Sequence, residues 1–329
     1  MIVLLTGATG FLGSELVEQL LPLVERLYLL ARPKSLQKLS KRYAHEPKII
    51  AVAGDVVAPD VIDDSRVLAE IKDQVDTIVH AAALYDVKAS HSSCFLQNVV
   101  GTQNILYLYR SLKKQETFHY VSTIAVAGDF VGRFLEDALP QGLKFSGPYG
   151  KTKYEAEALV RAHPLINEKI RIHRLGVLIA NSRDGKMPKN DGPYYFLDFI
   201  KKISRFTIPI SKLGILPLPY RARSILPIIP VDHAAIQMAA IIANPGTQKG
   251  IKSYHLCGQQ SPTCQEFIAD ALRHGGIIAR PVALPKSKAT PYLLRSVGIP
   301  VQLLDQVYSK CTFDQRNVEM DTPLGEISS

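Results

Sequence analysis

The sequence predicts an α/β protein built on a doubly wound parallel sheet with a smaller C-terminal substrate-binding lobe. Three observations carry that prediction. Short continuous apolar runs alternate with amphipathic stretches from the first residues onward, the pattern of a parallel sheet covered on both faces. The first run, residues 2–6, opens into Gly7-Ala8-Thr9-Gly10-Phe11-Leu12-Gly13 and then an amphipathic stretch, the strand, glycine turn and helix of a dinucleotide site. Tyr149 and Lys153 stand four residues apart at the start of a further helical stretch, so they share one helix face.

Size and composition set the frame. At 329 residues, 47% hydrophobic and 21% charged, the chain reads as a soluble globular protein of one large domain or two unequal ones. The alternating pattern places a Rossmann-type domain in residues 1–180, completed by about 225–258, and a substrate lobe in residues 181–224 and 259–329. Cys94, Cys257, Cys264 and Cys311 form no CxxC pair and read as reduced thiols of a cytoplasmic protein. The first residues lack the basic and long apolar regions of a signal peptide. The most membrane-like window, Ile225 to Ala243, contains Pro227, Pro230, Asp232 and His233, so no transmembrane helix is expected.

The net charge of +9 is unevenly placed. Residues 1–150 hold 15 Lys and Arg against 16 Asp and Glu, leaving 24 against 14 for the remainder, and between Arg183 and Arg223 nine cations face three anions. A solvated face, a phosphate-bearing substrate, an acidic carrier protein or an anionic membrane surface each fits such a run. Nucleic acid does not, because no nucleic-acid motif accompanies the charge.

Each element in turn carries a piece of the expected site. The backbone of Gly7 to Gly13 approaches a pyrophosphate at a helix N-terminus. The second strand, Leu27 to Ala31, ends where a carboxylate would bond the ribose of NAD; this chain has Ala31 and then Arg32-Pro33-Lys34. Arg32, with Lys34 as helper, therefore favours NADP(H), since a guanidinium grips a phosphate in two places. A third strand, Ile49 to Ala53, leads to Asp55-Val56 beside the adenine. A fourth, Thr77 to His80, leads to Ala81-Ala82-Ala83, small enough to leave room for a cofactor. Asn98, within a long helix running to Leu112, is a buried polar bracket or part of a proton relay, with the bracket preferred. The fifth strand ends at Ser122 and Thr123; the two point to opposite faces, and Thr123 is the choice for a hydroxyl beside the reacting carbonyl. A loop follows from Ala127 to Pro148. A sixth strand, Ile170 to Leu175, directs Leu175 and Val177 toward the nicotinamide.

The chemistry centres on Tyr149. A phenol with an unperturbed pKa near ~10 is a poor acid at neutral pH, and a nearby ammonium lowers it, so Tyr149 paired with Lys153 gives or takes a proton. A metal site is not expected: His80, His233 and His255 lie on separate elements without ligand spacing. No GxSxG elbow supports a hydrolase.

Through TGATGFLG (Thr6 to Gly13), GDV (Gly54 to Val56), HAAA (His80 to Ala83), NVVGT (Asn98 to Thr102), VST (Val121 to Thr123) and YGKTK (Tyr149 to Lys153), the sequence resembles the extended short-chain dehydrogenase/reductase family. VSTIAVAG, YGKTKYEAE, Arg32 and DGPYYFL (Asp191 to Leu197) bring it nearest to the thioester reductase and fatty acyl-CoA reductase branch. Leu175 stands where many relatives have proline. The resemblance implies Thr123, Tyr149 and Lys153 as the catalytic set, Lys153 also bonding the nicotinamide ribose. It implies NADPH reduction of an acyl thioester, on coenzyme A or an acyl carrier protein, to aldehyde or alcohol. The rivals are a ketone or hydroxysteroid-type dehydrogenase, a nucleotide-sugar epimerase or dehydratase, and a non-catalytic NADP(H) sensor.

Overall fold

A computed structural model describes residues 1–86, 89–163, 168–187, 194–203, 213–296 and 299–322. Seven parallel strands form its central sheet: β1 (Ile2–Thr6), β2 (Arg26–Ala31), β3 (Ile49–Ala53), β4 (Thr77–His80), β5 (Thr117–Thr123), β7 (Lys169–Leu175) and β11 (Gly250–Leu256). Their spatial order is β11-β7-β5-β4-β1-β2-β3. The chain thus builds outward from β1 in one direction, then returns to build outward in the other. The reversal falls between β1 and β4, and it opens a crevice at the carboxyl ends of those strands.

Burial explains why these segments are strands. All seven residues of β5 are buried, as are four of five in β1, so both faces need apolar cover. On one face α1 (Phe11–Leu20) and α8 (Val231–Ala243) pack with Leu5, Leu29, Val79 and Leu256. On the other, α3 (Ser65–Gln74), α5 (Gly101–Arg110) and α6 (Pro148–Ala162) pack with Leu4, Tyr28, Ile78 and Phe118. Each fully buried aliphatic side chain contributes about 1.5–3 kcal/mol. Helix starts are marked locally: Asp64 caps α3 through the N–H groups of Arg66 and Val67, and Pro148 occupies the first turn of α6, where its missing N–H costs nothing.

Outside the sheet the sequence reading needs correction. The segment from Ile225 to Pro230 forms only a short strand at its end, β10 (Ile228–Pro230), which pairs with β8 (Val177–Ile179) and stays outside the main sheet. The loop expected from Ala127 to Pro148 contains β6 (Val131–Phe134), paired with β13 (Lys310–Phe313). β9 (Ile215–Pro219) pairs with β12 (Arg280–Leu284). Between these pairs, α7 (Tyr194–Ile203) and α9 (Cys264–His274) share an apolar cluster with Leu218, Tyr220 and Leu226. Glu136, Asp137 and Asn317 cover the open edge of β11, the Asn317 amide donating to Ser253 O at 2.9 Å. There Glu136 accepts from His255 N at 2.9 Å and from Asn317 N at 2.6 Å, while Asp137 accepts from Ser253 N at 3.1 Å. Two carboxylates and one asparagine thus occupy backbone groups that would otherwise template another strand.

All four cysteines are buried and free. Among the described residues no helix is long and apolar enough to cross a membrane, and no group of His, Cys, Asp and Glu is arranged to hold a metal.

Candidate active site

The crevice begins at the glycine turn. Gly7 adopts φ +80°, and a Cβ there would lie 2.7 Å from the backbone of Ala81 and Ala82. Only glycine fits. A Cβ on Gly13 would lie 2.1 Å from the Gly7 oxygen, so glycine also permits α1 to start directly against the turn. Gly10 is the N-cap of α1 and brings no side-chain cap, which leaves the first N–H groups of the helix facing outward. Thr9 and Gly10 are exposed, Phe11 is half-buried, and the Leu12 side chain is in the core; Leu12 therefore offers only its backbone N–H. A cradle closed to any Cβ and topped by an open helix N-terminus fits a pyrophosphate.

Arg32 follows β2 directly as the N-cap of α2 (Pro33–Arg42), with Lys34 in the first turn and both side chains exposed. Two cations at another helix N-terminus make an electropositive rim. Across from them the Asp55 carboxylate accepts from Val57 N at 3.2 Å. The Val56 side chain is buried against Gly101, where a Cβ would come within 2.9 Å. Val61, which closes this loop by accepting from Asp55 N, has φ 61°, an unfavourable angle for a β-branched residue.

Ala81 to Ala83 continue from β4 with Ala81 and Ala82 half-buried and Ala83 exposed. Asn98 lies 1% exposed in a π-helical turn (Leu96–Val100) between α4 (His91–Phe95) and α5. Its oxygen accepts from Leu84 N at 2.7 Å, and its nitrogen donates to Thr152 Oγ1 at 3.0 Å and Leu84 O at 3.3 Å. These bonds tie the loop after β4 to α6, so the amide brackets two walls of the crevice. The π turn is a further feature that periodicity does not announce, and such turns cluster at functional sites.

At the end of β5 the two hydroxyls diverge. Ser122 donates to Glu157 Oε2 at 2.6 Å inside the protein, while Thr123 Oγ1 accepts from Ala125 N at 3.2 Å at the strand's open end. Gly150 lets α6 approach the segment after Thr123 closely: a Cβ would sit 3.1 Å from Ala125 O. Tyr149 is half-buried in the first turn of α6, its ring edge-on to Tyr85 at 4.6 Å. Lys153, 2% exposed, donates to Tyr120 Oη and to Val121 O, both at 2.7 Å. Burial pulls its ammonium down to about 7, opposed by Glu157 one turn further on. Tyr85 and Tyr120 have no place in the sequence reading. Tyr120 shares the face of β5 that Ser122 presents to α6.

Leu175, 7% exposed, ends β7, and Val177 begins β8 after Gly176. His80, His233 and His255 remain on separate elements. His80 is buried, its imidazole pushed down to about 3 by desolvation and by Lys153, and His255 bonds Arg174 and Asp314 O. The cationic run is partly neutralised: Arg183 lies near Glu15 and Asp232, and Lys186 near Asp184. Lys189, Arg205, Lys212 and Asp191 to Pro193 lie outside the described residues. Arg221 lines a cavity of about 680 Å³ with Gly128, Val131, Lys286, Asp305 and Lys310. Thr123, Tyr149 and Lys153 are not among its lining residues.

The male sterility protein family profile matches residues 5–238. Fatty acyl-CoA reductase 1 of Xenopus laevis is 33% identical over 141 residues, covering 37% of this chain and 27% of that protein. Carboxylic acid reductase of Mycobacterium marinum is 27% identical over 294 residues, covering 77% of this chain and 24% of that protein. The chain thus spans about a quarter of the length of these curated relatives. Among solved structures, the terminal R domain from the myxalamid PKS-NRPS biosynthetic pathway superposes with TM-score 0.76 at 25% identity, covering 99% of this chain and 86% of that one. A profile match across most of the chain, on this sheet order and glycine turn, places the protein in the male sterility protein family of NAD-binding domains, with the extended short-chain dehydrogenase/reductase fold.

Proposed function

We propose that this protein reduces an acyl thioester, carried on coenzyme A or an acyl carrier protein, with NADPH as reductant. The observation that carries the reading is the convergence at the crevice. Tyr149 and Lys153 lie one turn apart on α6, Thr123 ends the strand beside them, and the glycine turn that excludes any Cβ opens the same sheet edge. The names of the relatives, a fatty acyl-CoA reductase and a carboxylic acid reductase, support the substrate class.

Bound reduced nicotinamide supplies a hydride to the thioester carbonyl carbon. Gly7 to Gly13 and the open N-terminus of α1 hold the pyrophosphate, Arg32 and Lys34 hold the 2′-phosphate, and Asp55 and Val56 flank the adenine. Thr123 and Tyr149 donate hydrogen bonds to the carbonyl oxygen as it gains negative charge. Tyr149 then passes its proton to that oxygen. The resulting hemithioacetal breaks its C–S bond, giving a thiol and an aldehyde. Lys153 bonds the nicotinamide ribose and, while charged, favours the phenolate left on Tyr149. Residues 1–180 with 225–258 serve the cofactor in this reading, and residues 181–224 with 259–329 the acyl carrier and chain.

The test is NADPH consumption with product identification across acyl-CoAs, acyl carrier protein thioesters, simple ketones and nucleotide sugars. Turnover of thioesters to aldehyde or alcohol is the expected result. Turnover confined to ketones or nucleotide sugars would overturn the reading.

A further inference from the structure

The buried side of the crevice holds a continuous line of polar groups that neither cofactor nor substrate contacts need. Ala82 N donates to Thr6 Oγ1 at 3.1 Å, and Thr6 Oγ1 lies 2.8 Å from His80 Nδ1. His80 Nε2 lies 3.1 Å from Thr102 Oγ1, and the Thr102 hydroxyl donates to Asn98 O at 2.6 Å. On the same buried side Tyr120 Oη accepts from Lys153 at 2.7 Å, with the ammonium 4.2 Å from the centre of the Tyr120 ring. Thr6, His80, Thr102 and Tyr120 are all buried.

The donor inventory gives this line one polarity. Thr102 has a single proton, and it goes to Asn98 O; toward His80 it must accept. His80 therefore carries its proton on Nε2, and Nδ1 accepts from Thr6. An ammonium has only protons to give, so between Lys153 and Tyr120 the phenol oxygen is the acceptor. The acceptor is thus fixed before any ligand arrives. With Val121 O as second acceptor, two of the three ammonium protons are committed to the protein and one is left for the crevice.

We propose that Tyr120 is a positioning residue for the reaction: its hydroxyl and ring, with Val121 O, hold the Lys153 ammonium one helical turn from Tyr149. This inference rests on the reading of Tyr149 and Lys153 as the reacting pair. Its neighbours isolate the effect. His80 stays neutral, since desolvation and Lys153 push it down to about 3. Tyr120 stays neutral, since burial, Glu157 and Tyr149 hold it well above the usual phenol range. Glu157 stays charged: burial raises it, but Arg174, Arg161 and Ser122 hold it at about 2. Among these groups, Lys153 is left to titrate across the working range.

The experiment compares Tyr120→Phe, Tyr120→Leu and Tyr149→Phe with the parent protein. It records kcat against pH, the NADPH dissociation constant against pH by fluorescence without substrate, and the melting temperature. Tyr120→Phe removes one acceptor from the ammonium, so Lys153 should lose its charge at lower pH. The basic limb of kcat and the pH at which NADPH affinity weakens should both move about one unit toward acid, with kcat at neutral pH down about tenfold. Tyr120→Leu, which also removes the ring beneath the ammonium, should move both in the same direction. A folded Tyr120→Phe with unchanged kcat and unchanged pH dependence in both measurements overturns the proposal. If Tyr120→Phe does not fold, an unchanged pH dependence in Tyr120→Leu overturns it. If Tyr149→Phe also keeps full turnover, the reading of the reacting pair has failed first; if Tyr149→Phe is inactive, only the role of Tyr120 has failed.

Discussion

Ser122 and Glu157 share a 2.6 Å hydrogen bond inside the protein, and that bond determines which of two adjacent hydroxyls faces the crevice. With Ser122 committed to the carboxylate, Thr123 at the open strand end is the hydroxyl available to a carbonyl oxygen.

Substitution should separate the two. Thr123→Val removes a donor to the developing oxyanion and should lower kcat by roughly 10²-fold with little change in melting temperature. Ser122→Ala removes a buried bond to a charged acceptor and should cost about 1.5–3 kcal/mol of stability while most turnover survives. Steady-state kinetics and denaturant unfolding of both variants check this, and the opposite pattern would assign the crevice to Ser122.

Cofactor choice should follow Arg32. Its exposed guanidinium stands at the N-terminus of α2 directly after β2, where a 2′-phosphate gains a charge-assisted contact that NADH lacks. The expected result is a kcat/KM preference for NADPH that shrinks in Arg32→Ala mainly through KM. Equal kinetics with both cofactors in the parent protein would remove this role.

Acid should unfold the protein through Glu157. Burial alone would raise this carboxyl, but bonds from Arg174 and Arg161 hold it at about 2 against an ordinary 4.5. A folded-state pKa below the unfolded one gives stability that is complete above about 4.5 and lost as pH falls from there toward 2. Glu157→Gln should flatten that part of the melting-temperature profile. It should also lower stability at neutral pH by about 3–5 kcal/mol, because Arg174, fully buried, would be left without its counter-charge. Calorimetry from pH 7 down to pH 3 reads both effects.

The first six sheet strands were legible because mainly β-favouring runs alternate with helical stretches, and the strand before the glycine turn fixes where the crevice opens. The smaller pairs were not. β6 has three exposed residues of four and finds its partner about 180 positions away in β13, and neither segment alternates strongly enough to read as a strand. The covering of β11 by Glu136, Asp137 and Asn317 was hidden for the same reason, because nothing local links residue 136 to residue 317. The placement of Thr123 at a strand end and of Tyr149 and Lys153 one turn apart on a helix was legible from residue type and spacing. Tyr120 was not, because in the run His119-Tyr120-Val121 it reads as core, and only the packing of α6 on β5 shows its hydroxyl under Lys153.

The central claim is that Tyr149 passes the proton to the substrate oxygen, and Tyr149→Phe tests it most directly. The measurement is single-turnover reduction of a competent thioester by NADPH, alongside NADPH affinity by fluorescence. The account predicts a loss of at least roughly 10²-fold in the chemical step with NADPH binding nearly unchanged. A Tyr149→Phe variant that reduces the thioester at close to the parent rate would contradict it.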